Sequence, residues 1–84
     1  MDDQVIRRQA VEIVLAMAPF QVDTPNAHTH LVNDLGYDSL RLVELGIALE
    51  EHFGITVPDD EAAHVHTLGE VETTAVRLLS QLPD

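Results

Sequence analysis

Cysteine, lysine and tryptophan are absent from the 84 residues, and tyrosine occurs once. Without cysteine there is no disulfide, no thiolate nucleophile and no cysteine-based zinc site. The only aromatic carbocycles are Phe20, Tyr37 and Phe53, so leucine, valine, isoleucine and alanine must build the core. No apolar run reaches the length of a membrane span. Positive charge is also scarce: four arginines face fifteen acids, for a net charge of -11. Such a surface repels nucleic acid and anionic membrane, which leaves neither as an expected partner. It favours partners with basic patches. The length suits one domain, expected to span 1–84 as a monomer, with no room for a large buried catalytic cleft. Met1-Asp2-Asp3 lacks the basic-then-apolar plan of a signal peptide, so a cytoplasmic protein is expected.

What is present is helical periodicity. Asp2 and Asp3 are candidate caps for a first helix. Ile6, Ala10, Ile13, Val14 and Met17 form its apolar face, and Pro19 ends it near Ala18. Residues 20–37 read as a long loop, with Phe20, Val22, Leu31, Val32 and Leu35 as candidate anchors to the core. Asp38 caps a second predicted helix from Ser39 to about His52 or Phe53, which Gly54 stops. Ile55-Thr56-Val57 is too short for a sheet-forming strand. Pro58-Asp59-Asp60-Glu61 opens a short helix. Thr67-Leu68-Gly69-Glu70 fits a capping box, before a helix carrying Leu68, Val71, Ala75, Leu78, Leu79 and Leu82. The predicted fold is all-α: a small four-helix bundle with a long loop between the first and second helices and a short third helix.

The second predicted helix carries two apolar stripes. At about 100° per residue, Leu42, Leu45, Leu49 and Phe53 share one side. Leu40, Val43 and Ile47 fall nearly opposite, beside Glu44, Glu50 and Glu51. Three aligned exposed apolar residues form a patch with a use, and flanking acids suit a partner with a basic rim. Burial of the second stripe under a neighbouring helix or the long loop is the competing expectation. Gly46 sits beside the core stripe, where it permits close packing or softens the helix.

Ser39 stands where loop becomes helix, at the positive end of a helix dipole, a favourable place for an attached phosphate. The plainer role for it is capping. A small hydrolase is disfavoured, since Gly36-Tyr37-Asp38-Ser39-Leu40 is not a G-x-S-x-G elbow.

The run Asp34-Leu35-Gly36-Tyr37-Asp38-Ser39-Leu40, followed by Val43-Glu44-Leu45 and Ala48-Leu49-Glu50-Glu51, resembles the attachment region of acyl carrier proteins. The likeness continues through Phe53-Gly54-Ile55 and Val57-Pro58-Asp59-Asp60 to Thr67. It implies a non-enzymatic four-helix carrier whose serine, matching Ser39, receives 4′-phosphopantetheine from coenzyme A. Asp38 falls in the flanking motif. A phosphopantetheinyl transferase using Mg²⁺ performs the modification, and the arm's thiol carries acyl groups as thioesters. It also implies that Leu40, Val43, Glu44, Ile47, Glu50 and Glu51 meet partner enzymes, such as acyltransferases and ketosynthases with basic docking surfaces. Leu42, Leu49, Phe53, Val57, Ala62 and Val65 match positions lining the core and any acyl pocket.

Arg41 departs from the acid that many fatty-acid members have, and Gly46 from a bulky apolar residue. Tyr37 and Val57-Pro58-Asp59-Asp60 look more like carriers of polyketide pathways. Polyketide or related specialised metabolism is therefore the expected setting, with fatty-acid synthesis second and an unmodified acidic interaction module third. The histidine pairs His28-x-His30 and His64-x-His66 read as solvated loop residues rather than metal ligands. A chain without lysine or cysteine also offers a thioester no amine or thiol side chain to attack it.

Overall fold

Asp2 begins the first helix, its carboxylate accepting the Gln4 N–H, and α1 runs Asp3–Met17. Ile6, Ala10 and Val14 are its fully buried residues, one face at i, i+4 and i+8. The computed structural model describes residues 2–83. Met1 and Asp84, the two ends of the expected domain, lie outside the described residues.

The remaining helices are α2 at Ser39–Phe53, α3 at Asp59–Ala62 and α4 at Leu68–Ser80. Helix α4 opens with the predicted capping box: Thr67 Oγ1 accepts the Glu70 N–H, and Glu70 reaches back to the Thr67 N–H. Helix α1 packs most extensively on α4 and then on α2. One core joins them, built from Ile6, Ala10, Val14, Leu45, Leu49, Phe53, Leu68, Val71, Ala75 and Leu78 with loop residues between. No strand occurs among the described residues; an isolated bridge pairs His30 with Thr67. No helix of the described residues is long and apolar enough to cross a membrane.

The segment between α1 and α2 has its own hydrogen bonds, which is why it holds a shape without a helix or sheet. Thr29, buried, accepts the Asn26 N–H through Oγ1. Its carbonyl accepts the Leu68 N–H, while Leu31 donates to the His66 carbonyl. These bonds fasten the segment to the start of α4. Of the five expected anchors, Leu31 and Leu35 are buried and Val22 is partly so. Phe20 and Val32 are not anchors, being exposed. The His30–Gly36 stretch turns helically, with Asp34 and Leu35 donating to the His30 carbonyl and Gly36 to Val32. Its inward side carries Leu31 and Leu35, leaving Val32 outside. Phe20 lies over Gly36 at the surface. Gly36 has φ 80°, and an added Cβ would sit 2.6 Å from the Phe20 ring, so a side chain there is strained by the backbone and would displace Phe20. Leu82 lies past the end of α4 and is exposed, which corrects its assignment to that helix face.

Candidate functional site

The start of α2 is held from three directions. Asp38 is the N-cap, its Oδ1 accepting the Arg41 N–H at 2.8 Å. Capping therefore falls to the aspartate, and Ser39, exposed at the first helical position, is not used for it. The other serine of the chain, Ser80, is tied down by donating to the Arg77 carbonyl. Tyr37, only 2% exposed, donates its hydroxyl to the Val14 carbonyl at 2.6 Å. Arg41 donates through Nη1 to the Met17 carbonyl at 3.2 Å. Both acceptors belong to the last turn of α1, whose carbonyls lack helical donors. Two side chains flanking Ser39 thus finish one helix while they position the start of the next.

This gives the sequence departure at Arg41 a structural role. Its guanidinium is engaged at the end of α1 instead of standing free among the acids of α2. It also gives Tyr37 a core role that its motif position did not reveal. Burial pushes the Tyr37 hydroxyl up to about 12, against a smaller opposing pull from the Arg41 charge.

Along α2 the two stripes separate as their spacing requires. Leu45, Leu49 and Phe53 are buried, and Leu42 is partly buried. Leu40, Val43 and Ile47 are 70%, 60% and 50% exposed. Neither a helix nor the long loop covers them, so the expectation of a buried second stripe fails. Glu44 and Glu51 are exposed beside them. Glu50 differs: it is half-buried, and its Oε2 accepts the Val57 N–H at 2.8 Å, pinning the connection between α2 and α3. Gly54 ends the helix with φ 67°.

Behind α2 lies a cavity of about 430 Å³ bounded by α2, α3, α4 and the connection between α2 and α3. Leu42, Leu49, Val57, Ala62 and Val65 line it, and Phe53, the sixth residue matched to core and pocket positions, is buried in the core. The α3 wall has no fully buried residue of its own. Glu61 links it to α4 through an ion pair with Arg77, Oε1 to Nη1 at 2.7 Å. The histidines group across the two expected pairs, His30 stacking on His66 with ring centroids 6.1 Å apart. His30 Nδ1 accepts the Val32 and Asn33 N–H groups. Among the described residues, no three His, Asp or Glu side chains are placed to hold a metal ion.

These residues fit a phosphopantetheine arm. The hydroxyl stands at the surface, its neighbours fix the backbone beneath it, and the helix N-terminus favours a phosphodiester anion. Comparison with known proteins points the same way. The profile of a family described as the phosphopantetheine attachment site matches residues 8–75. An acyl carrier protein of Amoebophilus asiaticus is 42% identical over 69 residues, covering 79% of this chain and 82% of the relative. Among solved structures, a candidate acyl carrier protein of Mycobacterium tuberculosis is 28% identical with a TM-score of 0.77, over 86% of this chain and 96% of its own. The hexanoyl carrier protein of the actinorhodin polyketide synthase of Streptomyces coelicolor is 27% identical with a TM-score of 0.66, over 99% and 95%.

Proposed function

Since this chain belongs to the acyl carrier protein family, as a 4′-phosphopantetheine-bearing carrier and not an enzyme, we propose that Ser39 bears the arm and that α2 is the face its partner enzymes read. The observation that carries this is an exposed serine relieved of capping by Asp38 and steadied by Tyr37 and Arg41. In the modification, the Ser39 oxygen forms a bond to the phosphorus of coenzyme A that bears the pantetheine. The pyrophosphate P–O bond breaks, adenosine 3′,5′-bisphosphate leaves, and the hydroxyl proton passes to a base of the phosphopantetheinyl transferase. When bound, the arm supplies a terminal thiol on which acyl groups travel as thioesters.

The chain's own residues provide the rest. Leu40, Val43 and Ile47 offer an apolar strip, and Glu44 and Glu51 offer charge to a basic rim. Glu50 contributes one remaining carboxylate oxygen beside them while its other oxygen holds Val57. Partners of this kind include the transferase, acyltransferases and ketosynthases. We place the carrier in polyketide or related specialised metabolism, as one domain acting as a cytoplasmic monomer. The likeness to the actinorhodin carrier and the Val57-Pro58-Asp59-Asp60 run support that setting. Fatty-acid synthesis is the alternative.

The test is incubation with coenzyme A and a broad-specificity transferase, followed by intact mass. One pantetheinyl addition is expected, absent from Ser39→Ala. No addition, or an addition that survives Ser39→Ala, overturns the assignment. Equal exchange with fatty-acid and polyketide acyltransferases overturns the pathway assignment alone.

A further inference from the structure

His30 heads the helical turn between α1 and α2, and three of its polar groups hold that turn. Its N–H donates to Asp34 Oδ2 at 2.7 Å. Its carbonyl accepts the Asp34 and Leu35 N–H groups at 3.0 and 3.1 Å. Its ring Nδ1 accepts the Val32 and Asn33 N–H groups at 3.2 and 3.1 Å. The first N–H groups of a helical turn lack carbonyl partners, so the imidazole serves as the cap that an aspartate or serine usually provides.

A neutral ring is required for this. Two donors aimed at Nδ1 assign the proton of the neutral imidazole to Nε2, because an accepting nitrogen must keep its lone pair. A proton on Nδ1 turns the acceptor into a donor that faces two other donors. The ring is half-buried and within reach of solvent. Among the described residues, the ionisable groups around it are Asp34 on its own turn and, at the start of α4, His66 and Glu70. The His66 ring stacks on His30 with the planes 10° apart, and Glu70 Oε1 accepts the His66 N–H. A charge on His66 opposes a second charge on His30, while the two carboxylates favour one. Asp34 and Glu70 are exposed, so their attraction is screened. The loss of the Nδ1 lone pair is not screened and removes both bonds at once.

The turn leads straight to Ser39. Its carbonyls place what surrounds the serine: Val32 accepts the Gly36 N–H, Leu31 the Tyr37 N–H, and Leu35 the Phe20 N–H. Tyr37 then bonds Val14, and Asp38 caps α2. We propose that His30 is a positioning residue for the modification of Ser39, its neutral imidazole capping the turn that sets the start of α2 and its protonation releasing that cap. This rests on the assignment of the arm to Ser39. With the ring neutral, the turn is closed and the backbone beneath the serine is fixed. With the ring protonated, Val32 and Asn33 lose their acceptor, and the transferase meets a serine on a looser support. Acidity is thereby read out as slower loading of the arm.

The experiment compares wild type, His30→Asn, His30→Ala and His66→Gln as substrates of one transferase with coenzyme A, at pH 8 and pH 5.5. Intact mass follows pantetheinyl addition. Asparagine offers a side-chain oxygen that caps and does not titrate. Each rate is divided by that of His30→Asn at the same pH, which cancels the transferase's own pH dependence. The wild-type ratio is expected near unity at pH 8 and lower by roughly two- to tenfold at pH 5.5, the scale of one net hydrogen bond. His30→Ala is expected to be slow at both, and His66→Gln to follow wild type. In NMR spectra of wild type, the Val32 and Asn33 amide signals are expected to move with the His30 ring signals, while the buried Val14 methyl signals keep their folded positions. A wild-type ratio unchanged by pH overturns the proposal, as does a His30 ring that protonates with both amide signals unmoved. His30→Ala loading as fast as His30→Asn at pH 8 overturns it too. Loss of the pH effect in His66→Gln also does so, since repulsion between the rings would then be the cause. Failure of all four proteins to load at pH 8 overturns the Ser39 assignment together with this proposal.

Discussion

Tyr37→Phe removes one oxygen from the most constrained contact near the site. The wild-type hydroxyl is buried and donates at 2.6 Å to the Val14 carbonyl. That carbonyl is in the last turn of α1 and has no fourth-residue helical donor. Leaving a buried acceptor unpaired costs about 1–3 kcal/mol. A loss near 1.5 kcal/mol corresponds to a fall in melting temperature of roughly 6–12 °C for a domain this small. The pH dependence is sharper still. Burial raises the folded Tyr37 to about 12, against about 10 unfolded. The folded state therefore holds this proton more tightly, so the contribution is complete below pH 10 and disappears as pH rises towards 12. Two units correspond to at most about 2.7 kcal/mol. Because lysine and cysteine are absent and Tyr37 is the only tyrosine, no other side chain titrates in that window. Urea unfolding at pH 8, 10 and 11, with tyrosinate absorbance followed in the folded protein, measures both quantities. The reasoning is refuted if Tyr37 ionises near pH 10 while the protein stays folded, or if Tyr37→Phe shows the same alkaline loss.

Gly54→Ala is expected to destabilise by about 1 kcal/mol, because φ 67° is left-handed although space around it is open; Gly46→Ala, tested in the same thermal melt, should shift stability the opposite way by a similar amount. Thr67→Ala should cost about 1 kcal/mol through loss of the α4 cap, read by urea denaturation. The Glu70 carboxyl is held below its ordinary range first by the His66 N–H and then by bonds from Thr67. Its small contribution is accordingly present above the ordinary carboxylate range and lost on acidification, so Glu70→Gln should flatten the acid limb of the stability curve. Ile47→Ala and Glu44→Gln should each weaken binding to a partner enzyme without changing the fold, and added salt should abolish the Glu44 effect first, as measured by calorimetry.

Helix limits were legible because their signals are local. Asp38 and Thr67 cap where side-chain chemistry required, and Gly54 stops α2 where φ turns positive. The two α2 stripes were legible because helical periodicity sorts them, although only the fold could show that, among the described residues, nothing covers Leu40, Val43 and Ile47. The long segment was harder. Which of Leu31, Val32 and Leu35 points inward depends on a single helical turn held by the His30 and Val32 carbonyls, and no repeat in the sequence announces it. Tyr37 and Arg41 bond to Val14 and Met17 across more than twenty positions of chain. Such pairings leave no periodic trace, so the support beneath Ser39 was invisible beforehand. The cavity was likewise a property of helix placement.

With the arm on Ser39, as proposed above, the double attachment of the α2 start to the end of α1 sets how a tethered load can move. A swinging group sweeps a volume fixed by two things, the length of its leash and the steadiness of its pivot. Here the pivot is shared between two helices, so tilting α2 alone would break bonds to Val14 and Met17. An enzyme gripping the outer stripe of α2 therefore grips the pivot as well, and the reach from that grip to its own reactive centre is a matter of leash length alone.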